Sequence, residues 1–333
     1  MIKTTLSLAL FLFTTGTFCV AQEEAAGPQP DAATRQSAAA KVLDEAIETL
    51  SKYSSIQAKI RETVQMRSRE FVASGTYVQA SGNQLRMELK IEPLREVAVR
   101  AKRDKDGKLI PEDVKDPKKD TRKQKDSILQ VSDGRMLWTQ WNINGKPRVE
   151  RRDLVEITKA LEGKIKNWST DQLIGEMGVG GVPALLRSLK SRMIFDGMRD
   201  EEVEGKQFVV IQGAWNAEQV ARFMAPQPPQ QDAILRPHLP EYVRLYFEKK
   251  TMFPRRILYL KRHPNKEQRV ARPMVTLDFT KVVLNGEIDA GQFSFGGNTK
   301  NQIDTTASIL KQLKDQIKMA DQIKAQQLKQ KQP

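Results

Sequence analysis

Cysteine and histidine are scarce in this chain, and their scarcity limits the chemistry that it can support. The 333 residues include one cysteine, Cys19, and two histidines, His238 and His263. One cysteine cannot form a disulfide framework within the chain, so the fold must depend on buried apolar area and hydrogen bonds. The histidines stand next to prolines, with no cysteines or paired acids at ligand spacing. We therefore expect no metal site and no cofactor.

The sequence motifs that mark common enzymes are also missing. The chain has no Gly-x-Ser-x-Gly nucleophile elbow, no phosphate-binding glycine loop and no dinucleotide fingerprint. The glycine-rich segment 178–181 leads into Val182 and Pro183, which is typical of a turn before a helix with proline in its first turn. A non-enzymatic protein is predicted, and an enzyme with Asp133 or Glu62 as general base is the least favoured alternative.

The first residues have the features of a secretory signal peptide. Lys3 supplies a positive charge, an apolar run covers 6–13, and small residues precede a cleavage point after Ala21. The run is too short for a membrane span. Because bulky Phe18 precedes Cys19, we do not expect a lipid anchor there, and cleavage removes this cysteine. The sequence predicts a signal peptide over 1–21 and export to the periplasm or cell envelope.

The charge balance is strongly basic. Lys and Arg number 55 against 41 Asp and Glu, for a net charge of +14. Such a surface favours anionic partners, of which an anionic membrane surface and acidic envelope polymers are candidates, and nucleic acid is not expected. The alternative is that the charges lie on loops and tails and only keep the protein soluble.

The apolar periodicity predicts an α+β protein. A flexible leader over 22–36 precedes an amphipathic helix over 37–53, and helices are predicted over 153–165 and 183–193. Alternation of apolar and polar residues predicts strands, with hairpin turns at Asp133-Gly134 and Asn144-Gly145. The predicted strands are 56–67, 71–80, 84–91, 127–132, 136–141, 148–151, 206–213, 242–249, 255–262, 273–283 and 289–295.

Three segments do not fit the strand pattern. A charged insertion over about 95–125 is interpreted as a long, mostly solvated hairpin loop, with a polyanion-binding patch as the alternative. A proline-rich segment over 225–240 is interpreted as a constrained loop. The C-terminal region, 298–333, is predicted to be a long amphipathic helix that packs on the domain, contacts a protein partner or lies on an anionic membrane.

About ten or eleven antiparallel strands would curl strongly in one sheet. The fold class predicted is therefore a half-open, strongly curved antiparallel β-barrel with helices across its mouth, formed by residues 37–297 and followed by the long C-terminal helix.

Three stretches of sequence resemble the periplasmic lipoprotein-carrier superfamily, the LolA/LolB-like fold that the N-terminal domain of the sigma-factor regulatory protein RseB shares. The first resembles the opening helix and strand of that fold, the second its "DG-x-x-LW" hairpin, and the third its closing strands. They are Leu43-Asp44-Glu45 through Ser55-Ile56-Gln57-Ala58-Lys59-Ile60; Val131-Ser132-Asp133-Gly134-Arg135-Met136-Leu137-Trp138; and Phe253-Pro254-Arg255-Arg256-Ile257 with Leu277-Asp278-Phe279 and Phe293-Ser294-Phe295.

The resemblance implies a carrier-like protein that shields a lipid, an acyl chain or a lipidated protein in an apolar cavity, without catalysis. The strand pattern puts a set of inward residues along that cavity: Ile60, Val64, Met66, Met87, Leu89, Leu245, Phe247, Leu277 and Phe279. Each of them would also fill an ordinary hydrophobic core. Two alternatives stay open: an envelope sensor or scaffold that uses the C-terminal helix as its partner contact, and a basic binder of acidic envelope polymer.

Overall fold

The computed structural model describes residues 32–66, 69–92, 95–96, 101–103, 109–111, 126–162, 179–216, 239–262 and 271–315, with the single residues 318 and 322. The helices are α1 (Ala32–Lys52), α2 (Leu154–Leu161) and α3 (Gly181–Arg192). A 3-10 turn (Ala290–Phe293) and a C-terminal helix over 306–315 follow.

Fifteen strands are present in the described part of the chain, and eleven of them have seven or more residues. In chain order they are β1 (Ser55–Met66), β2 (Arg69–Ala80), β3 (Gln84–Ile91), β4 (Arg95–Glu96), β5 (Ala101–Arg103), β6 (Leu109–Pro111), β7 (Ser127–Asp133), β8 (Met136–Ile143), β9 (Lys146–Asp153), β10 (Met193–Val203), β11 (Lys206–Trp215), β12 (Tyr242–Glu248), β13 (Phe253–Arg262), β14 (Ala271–Leu284) and β15 (Ile303–Asp304).

All eleven long strands join one sheet, in the order β10-β11-β12-β13-β14-β1-β2-β3-β7-β8-β9-β15, with β4 paired to β2. The pairings are antiparallel except for β15, which runs parallel to β9. The sheet is not closed, because β10 and β15 form its two edges. Ten of the eleven predicted strands have counterparts among these long strands. The first and last halves of the chain meet where β14 pairs with β1.

Two hairpin turns form where the sequence predicts them. β7 and β8 are joined through Gly134, which has φ of 96°, and the Asp133 carboxylate accepts hydrogen bonds from the Arg135 and Met136 amides. Asn144 and Gly145 join β8 to β9 with φ of 53° and 72°. Positive φ at both central residues is typical of the type I′ turn, whose twist matches the flanking strands.

The hydrophobic core lies on one side of the sheet, here called the inner face. The main core cluster forms where α1 and α3 cover the inner face, and it includes Leu43 and Leu50 of α1 and Leu186 of α3. A smaller cluster joins α2 to Leu137 of β8 and to Leu310 of the C-terminal helix. The apolar faces of four helices are thus buried against one side of one sheet.

On the opposite side of the sheet, here called the outer face, the chain runs from the end of β14 back to β9. Phe295 stacks on Trp138 with ring centroids 5.8 Å apart, and the Gln292 carbonyl accepts a hydrogen bond of 3.3 Å from Arg86. Phe293 is buried here as well. The segment 285–304 therefore packs against β3 and β8 on the outer face, and its last residues pair with β9 as β15.

Several predicted elements differ from the structure. No strand covers 289–295, because the Asp289 side chain accepts from the Gly291 amide and caps a 3-10 turn. Residues 298–305 are not helical, since Ile303 and Asp304 pair with β9 and the C-terminal helix begins only at 306. α1 begins at Ala32, inside the predicted leader, where alanines favour helix.

Strand β10 was missing from the prediction. Only its first residues, Met193 and Phe195, are buried, and a bulge between Phe195 and Gly197 breaks the alternation. The rest of this edge strand is mostly charged, as edge strands often are.

The charged insertion is described in part. β5 and β6 pair with each other in a separate two-stranded sheet, which fits the predicted hairpin, and β4 pairs with the start of β2. The other insertion residues, and most of the proline-rich segment 225–240, lie outside the described residues.

Candidate ligand-binding site

The predicted lining residues meet in one place. Eight of the nine have buried side chains in the main core cluster: Ile60, Val64, Met87, Leu89, Leu245, Phe247, Leu277 and Phe279. The backbone of Met66 ends β1, but its side chain lies outside the described residues. The inner-face positions assigned to these eight from alternation agree with the structure. That they line a ligand cavity stays a prediction.

Strand register explains how residues far apart in sequence converge. Ile60 of β1 lies directly opposite Phe279 of β14, and Leu277 of β14 lies opposite Ile257 of β13. Leu245 of β12 lies opposite the same Ile257. Directly opposed residues of antiparallel strands point to the same face. An apolar surface therefore continues from β12 through β13 and β14 to β1.

Aromatic rings fill the middle of this surface. Phe279 meets Tyr77 edge to face at 5.7 Å and Phe253 at 5.3 Å between ring centroids. All three side chains are buried. Tyr77 and Phe253 lie beside the predicted lining residues but were not among them. Alternation with Phe71 and Ala73 in the predicted strand 71–80 could have identified Tyr77, whereas Phe253 precedes the predicted strand 255–262 and alternation gave no signal for it.

The N-terminus of α3 is attached to the inner face by β2. The Val182 amide donates to the Tyr77 hydroxyl at 3.0 Å and to Gln79 Oε1 at 3.2 Å. Gly181 has φ of +65°, and a Cβ there would lie 2.0 Å from Gln79 Oε1. Glycine is needed because the helix start is both left-handed and in close contact with β2. Burial raises the pKa of the Tyr77 hydroxyl, which therefore stays protonated.

The other end of α3 carries a charged group against the inner face. Arg192 lies beside Tyr259 of β13; burial raises the pKa of this tyrosine to about 12, and the guanidinium opposes that rise. Between the two helices, the Lys190 ammonium contacts the Asp44 carboxylate, and Arg187 donates to the Ser51 hydroxyl at 2.8 Å. These polar contacts between α1 and α3 are solvent-exposed, and exposed pairs contribute only about 0–1 kcal/mol each.

Two acidic residues named as general bases have distinct surroundings. Glu62 is 2% exposed and lies opposite Leu277 on the inner face. Asp133 is exposed and holds the β7–β8 turn, which gives it a structural role. Within the described residues, no group of three or more His, Cys, Asp or Glu side chains is arranged to hold a metal ion. His238 and His263 lie outside the described residues.

A charged cluster on β9 completes the inner face. Arg148, Glu150 and Arg152 alternate along the strand, so they point to the same side. Glu150 and Arg152 are buried, and burial lowers the pKa of Arg152 while Glu150 opposes this. These three residues were not among the predicted site residues, although their alternation is visible in the sequence from Arg148 to Arg152.

Comparisons with known proteins give distant matches in structure only. No family model matches the chain, and no curated protein matches it in sequence. LprF from Mycobacterium bovis matches 76% of this chain and 96% of its own, with 9% identity and a TM-score of 0.36. A domain from Vibrio parahaemolyticus described as an outer membrane lipoprotein-sorting protein matches 78% and 97%, with 8% identity and a TM-score of 0.31.

A LolA superfamily protein from Nitrosomonas europaea matches 77% of this chain and 97% of its own, with 13% identity and a TM-score of 0.27. All three matches have identities of 13% or less and TM-scores of 0.36 or less. The resemblance to the lipoprotein-carrier superfamily stays a prediction from the sequence motifs. In the described part of the chain, no helix has the length and hydropathy needed to cross a membrane.

Proposed function

We propose that the protein is an exported envelope protein that binds an acyl chain, or the acyl chain of a lipidated partner, without covalent chemistry. The chain would lie between the inner face of the sheet and the helices α1 and α3. The observation that carries this proposal is that α1 and α3 cover the apolar inner face with residues such as Leu43, Leu50 and Leu186. The polar contacts Lys190–Asp44 and Arg187–Ser51 between the two helices are exposed.

An apolar interior of this kind suits a long hydrocarbon ligand. Each methylene that a ligand transfers from water to an apolar site contributes about 0.8 kcal/mol. The eight buried candidate residues supply only aliphatic, aromatic and thioether surface to this interior. A hydrocarbon chain needs no directional hydrogen bonds, so such a surface can bind chains of different structure.

The interior also has side chains that can adapt. Met87, Met193, Met252 and Met274 all belong to the main core cluster. The unbranched thioether has three rotatable bonds and fills irregular gaps easily. A chain that enters the core could displace methionine side chains at a lower cost than rigid aromatic rings.

Movement of the helices would admit the ligand. α1 and α3 contact each other through Lys190–Asp44 and Arg187–Ser51, and both contacts are exposed. The N-terminus of α3 is held more firmly, by the buried contact between the Val182 amide and the Tyr77 hydroxyl. We therefore expect α1 to separate from α3 while the start of α3 stays on β2.

A fluorescent fatty-acid probe tests the proposal. We expect saturable binding to the mature protein at both low and high salt, because transfer into an apolar interior is only weakly screened by salt. Binding to anionic vesicles, in contrast, should weaken as salt rises if the excess of Lys and Arg over Asp and Glu contributes.

A pair of adjacent substitutions on β3 locates the binding. Leu89→Trp overfills the inner face at a cost of about 1–3 kcal/mol and should weaken probe binding about tenfold or more. Glu88→Trp places the same ring on the outer face and should leave probe binding unchanged. No saturable binding to the wild type at either salt would contradict the proposal and would favour the sensor or scaffold alternative.

A further inference from the structure

One row of inner-face residues runs from the core to solvent across four adjacent strands. Leu89 of β3 lies opposite Ile128 of β7, which lies opposite Trp141 of β8, which lies opposite Arg148 of β9. With about 4.8 Å between strands, the row spans about 14 Å. Exposure rises along it, from 0% at Leu89 and 6% at Ile128 to a half-buried Trp141. The Arg148 side chain at its end is 61% exposed.

Arg148, at the exposed end of this row, belongs to the charged cluster on β9. The Arg148 guanidinium contacts Glu150 Oε1, and Arg152 Nη2 lies 3.6 Å from Glu150 Oε2. Arg152 also donates through Nε to the Thr305 hydroxyl at 3.3 Å. The side chains of Glu150 and Arg152 are 8% and 7% exposed. The Glu150 carboxylate therefore contacts both guanidinium groups at the edge of the core.

The cluster carries an excess positive charge that its described neighbours do not neutralise. The residues opposite it on β8 are Trp141, Thr139 and Leu137, and none of them is ionisable. On β15, Ile303 lies opposite Glu150, and the hydroxyl of Thr305 follows. The buried pair of Glu150 and Arg152 is balanced, so the excess charge belongs to Arg148, whose 61% exposed side chain can contact an anionic ligand from solvent. The planar guanidinium is well suited to the two oxygens of a carboxylate or phosphate.

We propose that Arg148 and Arg152 bind the anionic headgroup, a carboxylate or a phosphate, of an amphiphile whose chain lies along Leu89, Ile128 and Trp141. This inference rests on the proposed function and deepens it, because it gives the ligand a charge and an orientation. The headgroup stays at the exposed end, and the chain points toward the main core cluster.

The test compares a fluorescent fatty acid with its own methyl ester, which has the same chain and no charge. The wild type should bind the acid about tenfold more tightly than the ester, as expected for a charge-assisted contact. Arg148→Gln should remove most of this preference and leave ester binding unchanged. Arg148 is the first choice because its exposed side chain makes misfolding less of a risk than at buried Arg152.

Arg199→Gln is the matched control. Arg199 is an exposed arginine paired with Glu201 on β10, and it lies opposite Val210 on the outer face. Its substitution removes the same charge and should leave the preference for the acid intact. Arg152→Gln gives a second measurement, in which unchanged ester binding shows that the variant is folded and loss of the acid preference supports the proposal.

The outcomes separate this inference from the proposed function. If the wild type binds neither probe, the proposed function fails and this inference fails with it. If it binds both probes equally, or if Arg199→Gln loses the preference as Arg148→Gln does, only the headgroup site is overturned. Inorganic phosphate that displaces the acid at the same concentration as an unlabelled fatty acid would show a free-anion site and would also overturn it.

Discussion

Substitution of Phe279 gives the most quantitative prediction about the inner face. Its side chain is 3% exposed and contacts the rings of Tyr77 and Phe253 edge to face. Truncation of a buried phenylalanine to alanine costs about 3–5 kcal/mol, and the loss of two ring contacts favours the upper part of that range. Phe279→Ala should therefore lower the free energy of unfolding by about 4–5 kcal/mol.

The same estimate gives a melting temperature. At about 2–4 °C for each kcal/mol in a chain of this size, Phe279→Ala should lower Tm by about 8–20 °C. Phe279→Asp loses the same packing and also buries a carboxylate that has no partner there to pair with it. The two costs together approach the whole stability of a typical domain, about 5–15 kcal/mol. Phe279→Asp should therefore fail to fold or fail to bind the fatty-acid probe.

The neighbouring residue supplies the control. Thr280 follows Phe279 on β14, is exposed and lies opposite Lys59 of β1. Thr280→Asp should change stability by no more than about 0.5 kcal/mol, since it is an exposed surface substitution. Circular dichroism melting and probe titration of the three variants check the prediction. Wild-type Tm and wild-type binding in Phe279→Asp would refute the inner-face register, and Val64→Asp on β1 provides a repeat of the same test.

Three further predictions concern other parts of the chain. The secreted protein should begin at Gln22, and N-terminal sequencing that starts at Met1, or a lipid on Cys19, would contradict the signal peptide. Deletion of 104–123 should lower Tm by less than about 10 °C, because β6 pairs only with β5 in the described chain, and a larger fall would mean that the insertion packs on the sheet. Because burial raises the pKa of Tyr259 to about 12, this tyrosine stays protonated in the folded protein after it ionises in the unfolded chain near pH 10. Its contribution to stability should be constant below about pH 10 and fall by about 2 kcal/mol by pH 12. The unfolding free energy of Tyr259→Phe should not show this decrease between about pH 10 and pH 12. An equal decrease in the wild type and in Tyr259→Phe would contradict the raised pKa of Tyr259.

The sheet could be predicted well wherever one face of a strand is buried. Tyr242 to Glu248 alternates strictly, with Val243, Leu245 and Phe247 buried, so the alternation predicts both the strand and its inner face. The Asn144-Gly145 turn was equally clear, because few residues other than glycine and asparagine accept positive φ at both positions.

The parts that could not be predicted depend on contacts distant in sequence. Strand β10 is an edge strand with a bulge and many charged residues, so its sequence lacks the apolar alternation that would have predicted its pairing with β11. The segment near Phe293 resembles a strand in its apolar residues but packs on the outer face through the Trp138–Phe295 stack. The β9 cluster becomes a candidate site only when the register places Arg148 beside Trp141.

The central claim, that an acyl chain lies on the inner face, is tested most directly by two single-tryptophan variants. Trp141 lies on the inner face and packs on the main core cluster, whereas Trp138 on the same strand lies on the outer face and stacks on Phe295. In each variant the other three of the four tryptophans are replaced by phenylalanine. A fatty acid brominated in its chain should quench the fluorescence of the Trp141 variant with saturation and leave the Trp138 variant unchanged. Equal quenching of both, or quenching of Trp138 alone, would contradict the account.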